Sequence, residues 1–149
     1  MNKHKQAMSY IAKHSEQTEK TLAAVFFETR EDRQECATLL EELGYNRRNI
    51  QTWTYEKEGQ ASLRLFPIDD LYSRQYPYYA HSVCSMQLCH VFFYCNTDTL
   101  DLSRVMFVRN RLRSRTGKVD NVVHIIPVAT DDDTGEELWA YTLFAEHGE

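Results

Sequence analysis

The distribution of apolar and polar residues along the chain predicts several short strands. Four apolar runs have the length of a buried or half-buried strand, at 21–29, 89–95, 121–130 and 137–144. The last two flank the segment DDDTGE, where Asp and Gly supply backbone angles that favour a tight turn. We therefore predict that these two runs pair as a hairpin.

Residues 49–68 predict a second hairpin. In the first stretch Ile50, Thr52 and Thr54 alternate with Gln51, Trp53 and Tyr55, and in the second Ala61, Leu63 and Leu65 alternate with Ser62, Arg64 and Phe66. Glu58-Gly59 lies between the two stretches as a turn, and Pro67 closes the second strand.

Helical spacing is clearest between Thr29 and Gly44. Thr29 and Asp32 resemble a capping box with Asp in place of Glu, and Gly44 supplies the stop. The spacing of three and four residues that defines one helix face is followed by Cys36, Leu39, Leu40 and Leu43.

A further helix is predicted over 97–117, with Asp98 or Thr99 as its cap and Gly117 at its end. Its predicted apolar face consists of Leu102, Val105, Met106, Val108 and Leu112. A helix from about Tyr78 to Gln87 also fits the pattern. Residues 1–20 are polar apart from a few positions, and we expect a loose extension or one short helix there.

Together these elements predict one α/β domain over 21–149. It has a mixed sheet of about six strands, including two antiparallel hairpins, packed with two to four helices. The order also fits an alternative, an α+β ferredoxin-like βαββαβ core with an appended helix and hairpin.

Composition fits a folded cytoplasmic protein. The chain has 149 residues, of which 42% are hydrophobic, and it is long enough to bury a core. No apolar run reaches the ~18 residues of a membrane span, and the N-terminus lacks the apolar region of a secretory signal. We therefore expect a cytoplasmic location without membrane attachment, and reduced cysteines.

The segment AHSVCSMQLCHVFFYC, residues 80–95, raises the question of a metal or thiol site. Cys89 and Cys95 would share a strand face, yet they would lie ~20 Å apart at ~3.3 Å per residue, and His90 would point to the other face. Tetrahedral zinc needs convergent ligands, and CxxC is absent. We interpret the segment, with its candidate ligands His81, Cys84, Cys89, His90 and Cys95, as a sulfur-rich core element without metal.

Catalytic signals are weak. Asp69-Asp70 follow a strand, where carboxylates serve metals or acid–base chemistry, but they also suit the start of a helix. A Cys–His pair such as Cys84 with His81, or with His124, has no local sign of an activated thiolate. The loop after the first strand, ETREDRQ, lacks the GxxxxGK[ST] pattern that cradles phosphates. We expect no cofactor and no catalytic residue.

Two groups of residues predict an interaction surface. Four tyrosines surround Pro77, and tyrosine is favoured at interfaces because it buries area at low entropic cost. Residues 103–118 hold six basic residues and no acid, whereas 119–149 hold eight acids and neither Lys nor Arg. The predicted surface is Tyr72, Tyr76, Tyr78 and Tyr79 with Arg104, Arg109, Arg111, Arg113 and Arg115.

The sequence therefore favours a non-catalytic protein that binds another protein as an accessory, inhibitor or regulator, with a homo-oligomer left open. One alternative is a nucleic-acid-associated protein that uses the Arg-rich helix at 104–115, although the net charge of −5 opposes it. A second is a small metal-dependent hydrolase built on Asp69, Asp70 and a histidine.

Overall fold

Seven strands and four helices make up the described part of the chain. The computed structural model describes residues 3–15, 22–72, 88–116, 122–128 and 141–144. The helices are α1 (Lys3–His14), α2 (Arg30–Glu42), α3 (Ile68–Tyr72) and α4 (Leu102–Thr116). The strands are β1 (Leu22–Phe27), β2 (Asn46–Asn49), β3 (Thr54–Glu56), β4 (Ser62–Pro67), β5 (Leu88–Cys95), β6 (Val122–Pro127) and β7 (Tyr141–Phe144).

All seven strands join one sheet in the order β2-β3-β4-β1-β5-β6-β7. The four central strands, β4, β1, β5 and β6, are parallel. At one edge β3 pairs antiparallel with β4 and β2 pairs antiparallel with β3, and at the other edge β7 pairs antiparallel with β6. The predicted α/β mixed sheet is confirmed, and so are both antiparallel pairs, β3–β4 and β6–β7. A ferredoxin-like core is not formed, because helices cover both faces of a largely parallel sheet.

The two faces of the sheet bury two separate apolar clusters. Successive side chains of a strand point to opposite faces, so Ala24 and Phe26 of β1 enter one cluster while Val25 and Phe27 enter the other. The first cluster includes side chains of α3 and α4, and the second includes side chains of α1 and α2. A strand buried on both sides must be apolar throughout, which explains the unbroken run of β1.

Helix α2 begins and ends as its sequence predicts. The backbone N–H of Asp32 donates to Thr29 Oγ1 at 3.0 Å, so Thr29 is the N-cap. Gly44 follows the helix with φ +99°, a conformation that residues with a Cβ rarely adopt. Cys36 and Leu40 are buried, while Leu39 and Leu43 lie half-buried beside them.

The N-terminal region contains a helix that packs on the sheet. In α1 the side chains of Ala7, Met8 and Ile11 are fully buried, at the spacing of one helix face. They belong to the same apolar cluster as Phe92 and Tyr94 of β5. The sequence left open a loose extension or a short helix in this region, and residues 3–14 form the helix.

The strand predicted to begin at Ile50 is wrong. Residues 46–49 form the edge strand β2, and 50–53 form a turn in which the Asn49 side chain accepts from the N–H groups of Gln51 and Thr52, at 2.9 and 3.1 Å. This local bonding competes with strand pairing, so alternation alone misassigned the turn. Ile50 is consequently 70% exposed, and the sheet has seven strands.

The predicted start of the second long helix is also wrong. Instead of beginning near Asp98, α4 begins at Leu102. Asn96 Oδ1 accepts from the Asp98 N–H at 2.9 Å, which holds this segment in a turn. Asp101 Oδ1 then accepts from the N–H and the hydroxyl of Ser103, at 3.0 and 2.6 Å, and caps the helix. The helix predicted at 78–87 and the turn DDDTGE lie outside the described residues.

Candidate functional site

Helix α4 exposes two large apolar side chains that the sequence placed on its core face. Val105 and Val108 are buried, whereas Leu102 is 60% and Met106 38% exposed. The predicted apolar face was too broad for the sheet surface beneath it. A helix that rests on a sheet buries a stripe centred on a few positions, and here that stripe passes through 105 and 108.

The arginines of α4 fall on two flanks of this buried stripe. Positions 102, 106, 109 and 113 follow one another at spacings of four, three and four residues, so one flank combines the exposed apolar pair with two arginine positions. Positions 104, 111 and 115 occupy the other flank by the same periodicity. We call the first set, Leu102, Met106, Arg109 and Arg113, the outer stripe of α4.

The first arginine of the second flank forms an ion pair within its own turn. Arg104 Nε lies 3.5 Å from Asp101 Oδ2, so its charge is partly balanced within the chain. The hydrogen bonds from Ser103 hold the pKa of Asp101 below its ordinary value, which keeps this carboxylate ionised. Arg109 lies half-buried beside Met106 on the outer stripe.

The tyrosine half of the predicted surface cannot be joined to this helix. Tyr76, Tyr78 and Tyr79 lie outside the described residues, and Tyr72 is the last residue of α3. The predicted interaction surface is therefore described only in its α4 part.

The carboxyl edge of the central strands is where open α/β sheets usually bind ligands. The chain leaves β1 through α2 towards β4 and leaves β5 through α4 towards β6, so the crossovers diverge between β1 and β5. Glu28, directly after β1, spans this point: its two carboxylate oxygens accept from the Asn96 N–H at 2.8 Å and the Thr99 hydroxyl at 3.3 Å. The Glu28 carboxylate thus links the segment after β1 to the segment after β5, at the place where a ligand would bind in such a sheet.

Asp69 and Asp70 lie in the first turn of α3, where carboxylates complement the helix dipole. Burial raises the pKa of Asp70, and Arg30 and Arg33 act in the opposite direction. In the described ranges, no three His, Cys, Asp or Glu side chains are placed to hold a metal ion.

Cys36 and Cys95 belong to the core. Cys95 is buried on the same face of β5 as Phe93, and its thiol approaches the carbonyl oxygen of Phe26 at 3.6 Å. Burial raises the pKa of the thiols of both Cys36 and Cys95, so both stay protonated and unreactive. His90 lies on the opposite face of β5 from Cys95, as the strand periodicity predicts. His81 and Cys84 lie outside the described residues.

Four aromatic and imidazole rings meet where α1 covers β5 and β6. His124 of β6 is only 3% exposed; its Nε2 lies 3.3 Å from Nδ1 of His90, and its Nδ1 lies 2.9 Å from the Tyr10 hydroxyl. The His14 ring stacks on Tyr10 at 4.0 Å and lies 5.3 Å from the His124 ring. We call these residues, His14, His90, His124 and Tyr10, the histidine cluster.

Protonation of His124 is strongly disfavoured in this cluster. Burial, followed by the nearby His90 and His14, lowers the pKa of His124 to about 3. A neutral imidazole with so low a pKa is a poor general base near neutral pH, because it has little affinity for the proton it would abstract. The cluster therefore suits a structural or switching role better than acid–base catalysis.

Trp53 forms a second aromatic feature beside α2. The guanidinium carbons of Arg33 and Arg47 lie 3.8 and 5.0 Å from its ring centroid, so two cations stack on one indole. Trp53 has φ +52°, which is rare for a bulky residue. The two arginines connect α2 to the edge strand β2 through this ring.

The sequence analysis missed the histidine cluster. A usable signal was present: Tyr10 and His14 are four residues apart, and His90 and His124 each interrupt an otherwise apolar strand. A polar residue on a buried strand face needs a partner, and the partner here comes from the N-terminal helix.

Comparisons with known proteins place the chain in no group: no family model, curated protein or solved structure matches it. Among the described helices, none has both the length and the apolarity needed to cross a membrane.

Proposed function

We propose that this chain is a non-catalytic protein that binds an acidic partner protein through the outer stripe of α4. The observation that carries the proposal is the exposure of Leu102 and Met106 in register with Arg109 and position 113. Large apolar side chains exposed side by side are typical of a protein interface, and methionine and arginine are both enriched there.

Charge indicates the chemistry of the partner. Residues 103–118 contain six basic residues and no acid, so a partner segment that combines acidic and apolar residues would complement the stripe. The apolar pair gives affinity when it is desolvated, and the arginines give orientation and a faster encounter. The free thiols of Cys36 and Cys95 support a reducing compartment, which we take to be the cytoplasm.

Site-specific crosslinking tests the stripe directly. A photoreactive amino acid replaces Met106 in the cells that produce the protein, with the exposed Gln34 of α2 replaced as the matched control. We expect a discrete adduct from position 106 and none from position 34, with a partner rich in Asp and Glu at the crosslinked segment. Identical adducts from both positions, or none from position 106, would contradict the proposal.

Reconstitution with the purified partner supplies the quantitative test. Leu102→Ser with Met106→Ser should weaken binding by at least about tenfold, since buried anchors dominate interface energies. Because Leu102 is 60% and Met106 38% exposed in the free protein, each substitution should lower stability by clearly less than the ~2–5 kcal/mol of a core truncation. Arg109→Glu with Arg113→Glu should weaken binding most at low salt. Equilibrium sedimentation measures the mass of the purified protein in solution, and a dimer mass would show that the partner is a second copy of the chain.

Nucleic acid is the competing partner, and the same helix allows a test. We expect no binding of DNA or RNA at physiological salt, since the chain carries five more acids than bases and exposes apolar side chains between its arginines. A phosphate-binding helix would instead show a log–log salt slope near −0.9 per phosphate neutralised, shallower by about two after Arg111→Ala with Arg115→Ala. If the protein binds nucleic acid tightly, with strong salt dependence, and the double substitution abolishes this binding, then the partner is nucleic acid and the proposal of a protein partner is wrong.

A further inference from the structure

The histidine cluster is the polar part of an otherwise apolar contact between α1 and the sheet. Ala7, Met8 and Ile11 are buried in the same apolar cluster as Phe92, which also stacks on the His124 ring at 4.5 Å. The contact therefore holds a fully buried apolar stripe next to imidazoles that can take up protons.

The geometry limits how many protons the His90–His124 pair can hold. Nε2 of His124 faces Nδ1 of His90 at 3.3 Å, so only one of these two nitrogens can carry hydrogen while the contact lasts. Two imidazoles offer four nitrogens, and the shared contact leaves at most three N–H groups, which is one positive charge. A second proton requires that two N–H groups face each other, and the contact must break.

The remaining groups around His124 in the described residues do not offset that charge. Tyr10 approaches its Nδ1 with a hydroxyl that can donate or accept, and His14 adds a third imidazole, with Nδ1 2.9 Å from the Tyr10 carbonyl oxygen. The groups that act on the pKa of His124 besides burial are His90 and His14, and both lower it. Among the described residues, the titratable groups that β5 and α1 place against His124 are therefore two imidazoles, of His90 and His14, and the phenol of Tyr10.

The opposite end of α1 is held by a separate set of contacts. Nε2 of His4 lies 3.4 Å from Asp32 Oδ1 and 3.2 Å from Glu35 Oε2, so its ring contacts two carboxylates of α2. Its Nδ1 lies 2.7 Å from the Tyr94 hydroxyl of β5. The N-terminal end of α1 is thus anchored to both α2 and β5 through the His4 ring, apart from the histidine cluster.

We propose that α1 is an acid-released latch, whose C-terminal half leaves the sheet when the histidine cluster takes up protons while His4 stays attached to α2. Release uncovers the apolar surface around Phe92 that Met8 and Ile11 cover at neutral pH. It works against the bond from the Ala61 N–H to the Ser15 carbonyl oxygen at 2.7 Å, which ties the end of α1 to the start of β4. This regulation is independent of the proposed α4 interface.

Amide hydrogen exchange followed by mass spectrometry tests the latch in the full chain. Exchange is measured at about pH 7 and about pH 5 and corrected for the intrinsic effect of pH on the rate, with peptides of 7–15 compared with peptides of 30–42. Net uptake of one proton favours the open form by up to about tenfold per pH unit below 6.5. We expect residues 7–15 to lose protection by about tenfold or more while α2 keeps its protection.

Three variants assign the response. His90→Gln and His124→Gln keep a hydrogen-bonding side chain but cannot become charged, and each should remove most of the acid response of residues 7–15. His4→Gln is the matched control outside the cluster and should keep that response. If His124→Gln fails to fold, the test rests on His90→Gln, because His90 is only half-buried and its substitution is better tolerated. Parallel loss of protection in α1 and α2, or a full response in His90→Gln, would overturn the proposal.

Discussion

Adjacent apolar residues of α4 have opposite surroundings. Val105 lies in the core with no exposed surface, while its neighbour Met106 faces water, and Leu102 one turn earlier is exposed as well. All three have side chains that favour burial, so their chemistry alone does not separate them. The side of the helix that meets the sheet makes the distinction, and the exposed residues then become candidates for a partner.

Leu40 of α2 is the clearest single-residue test of the core. Its side chain is fully buried against the sheet, so Leu40→Ala should lower the free energy of unfolding by roughly 2–5 kcal/mol. Urea titration measures the change, and Thr38→Ala at an exposed position of the same helix should change it by less than about 0.5 kcal/mol. Equal effects of the two substitutions would mean that the helix is packed by a different face.

The buried thiols should be inert in the folded protein. Burial raises the pKa of Cys36 and Cys95, and the thiolate is the reactive form, so neither should be alkylated by iodoacetamide at neutral pH. Peptide mapping after native labelling checks each position separately, and labelling in urea is the control that both can react. Native labelling of Cys95 at the rate found in urea would place it outside the core.

At the scale of an element, the stability of α2 depends on its N-cap residue, Thr29. The Thr29 hydroxyl accepts from the Asp32 N–H at 3.0 Å, and this bond satisfies one of the N–H groups that the first turn leaves unpaired. Thr29→Ala should cost about 0.5–2 kcal/mol of unfolding free energy, whereas Thr29→Asp should retain most of the stability. Chemical denaturation measures both, and a loss shared equally by Ala and Asp would assign the role of Thr29 to something other than capping.

At the scale of the whole molecule, His124 should make stability depend on pH. The unfolded chain binds a proton to this residue below about 6.5, but burial holds the pKa of the folded state at about 3. The contribution is therefore complete above pH 6.5 and is lost as the pH falls towards 3, by up to about 1.4 kcal/mol per pH unit.

Urea titrations between about pH 7.5 and about pH 5.5 avoid the titration of Asp and Glu, which remain largely ionised there, and comparison with a His124 variant separates this residue from the other histidines. His124→Gln should flatten the dependence, because glutamine takes up no proton in this range. The wild-type protein should lose stability as the pH falls. A stability that rises on acidification, or a slope unchanged in the variant, would contradict the buried neutral state of His124.

Local sequence rules determined much of the architecture. The capped helix α2, the strands β1 and β5 and the turn at Glu58-Gly59 follow from periodicity, capping and turn residues, because each depends on residues close in the chain. The placement of His90 and Cys95 on opposite faces of β5 follows from the strand period alone. The exposure of the outer stripe of α4 could not be predicted in the same way, because the helical spacing of apolar residues does not show which of them the sheet will cover.

The tertiary structure alone decided which distant residues meet. Tyr10 reaches His124 across 114 positions of the chain, and His4 reaches Tyr94 across 90. No local pattern encodes such pairs: they arise because two apolar clusters require helices on both faces of the sheet, which brings α1 over β5 and β6. The polar groups on that buried face then had to find partners in α1, since an unpaired buried imidazole or hydroxyl is costly.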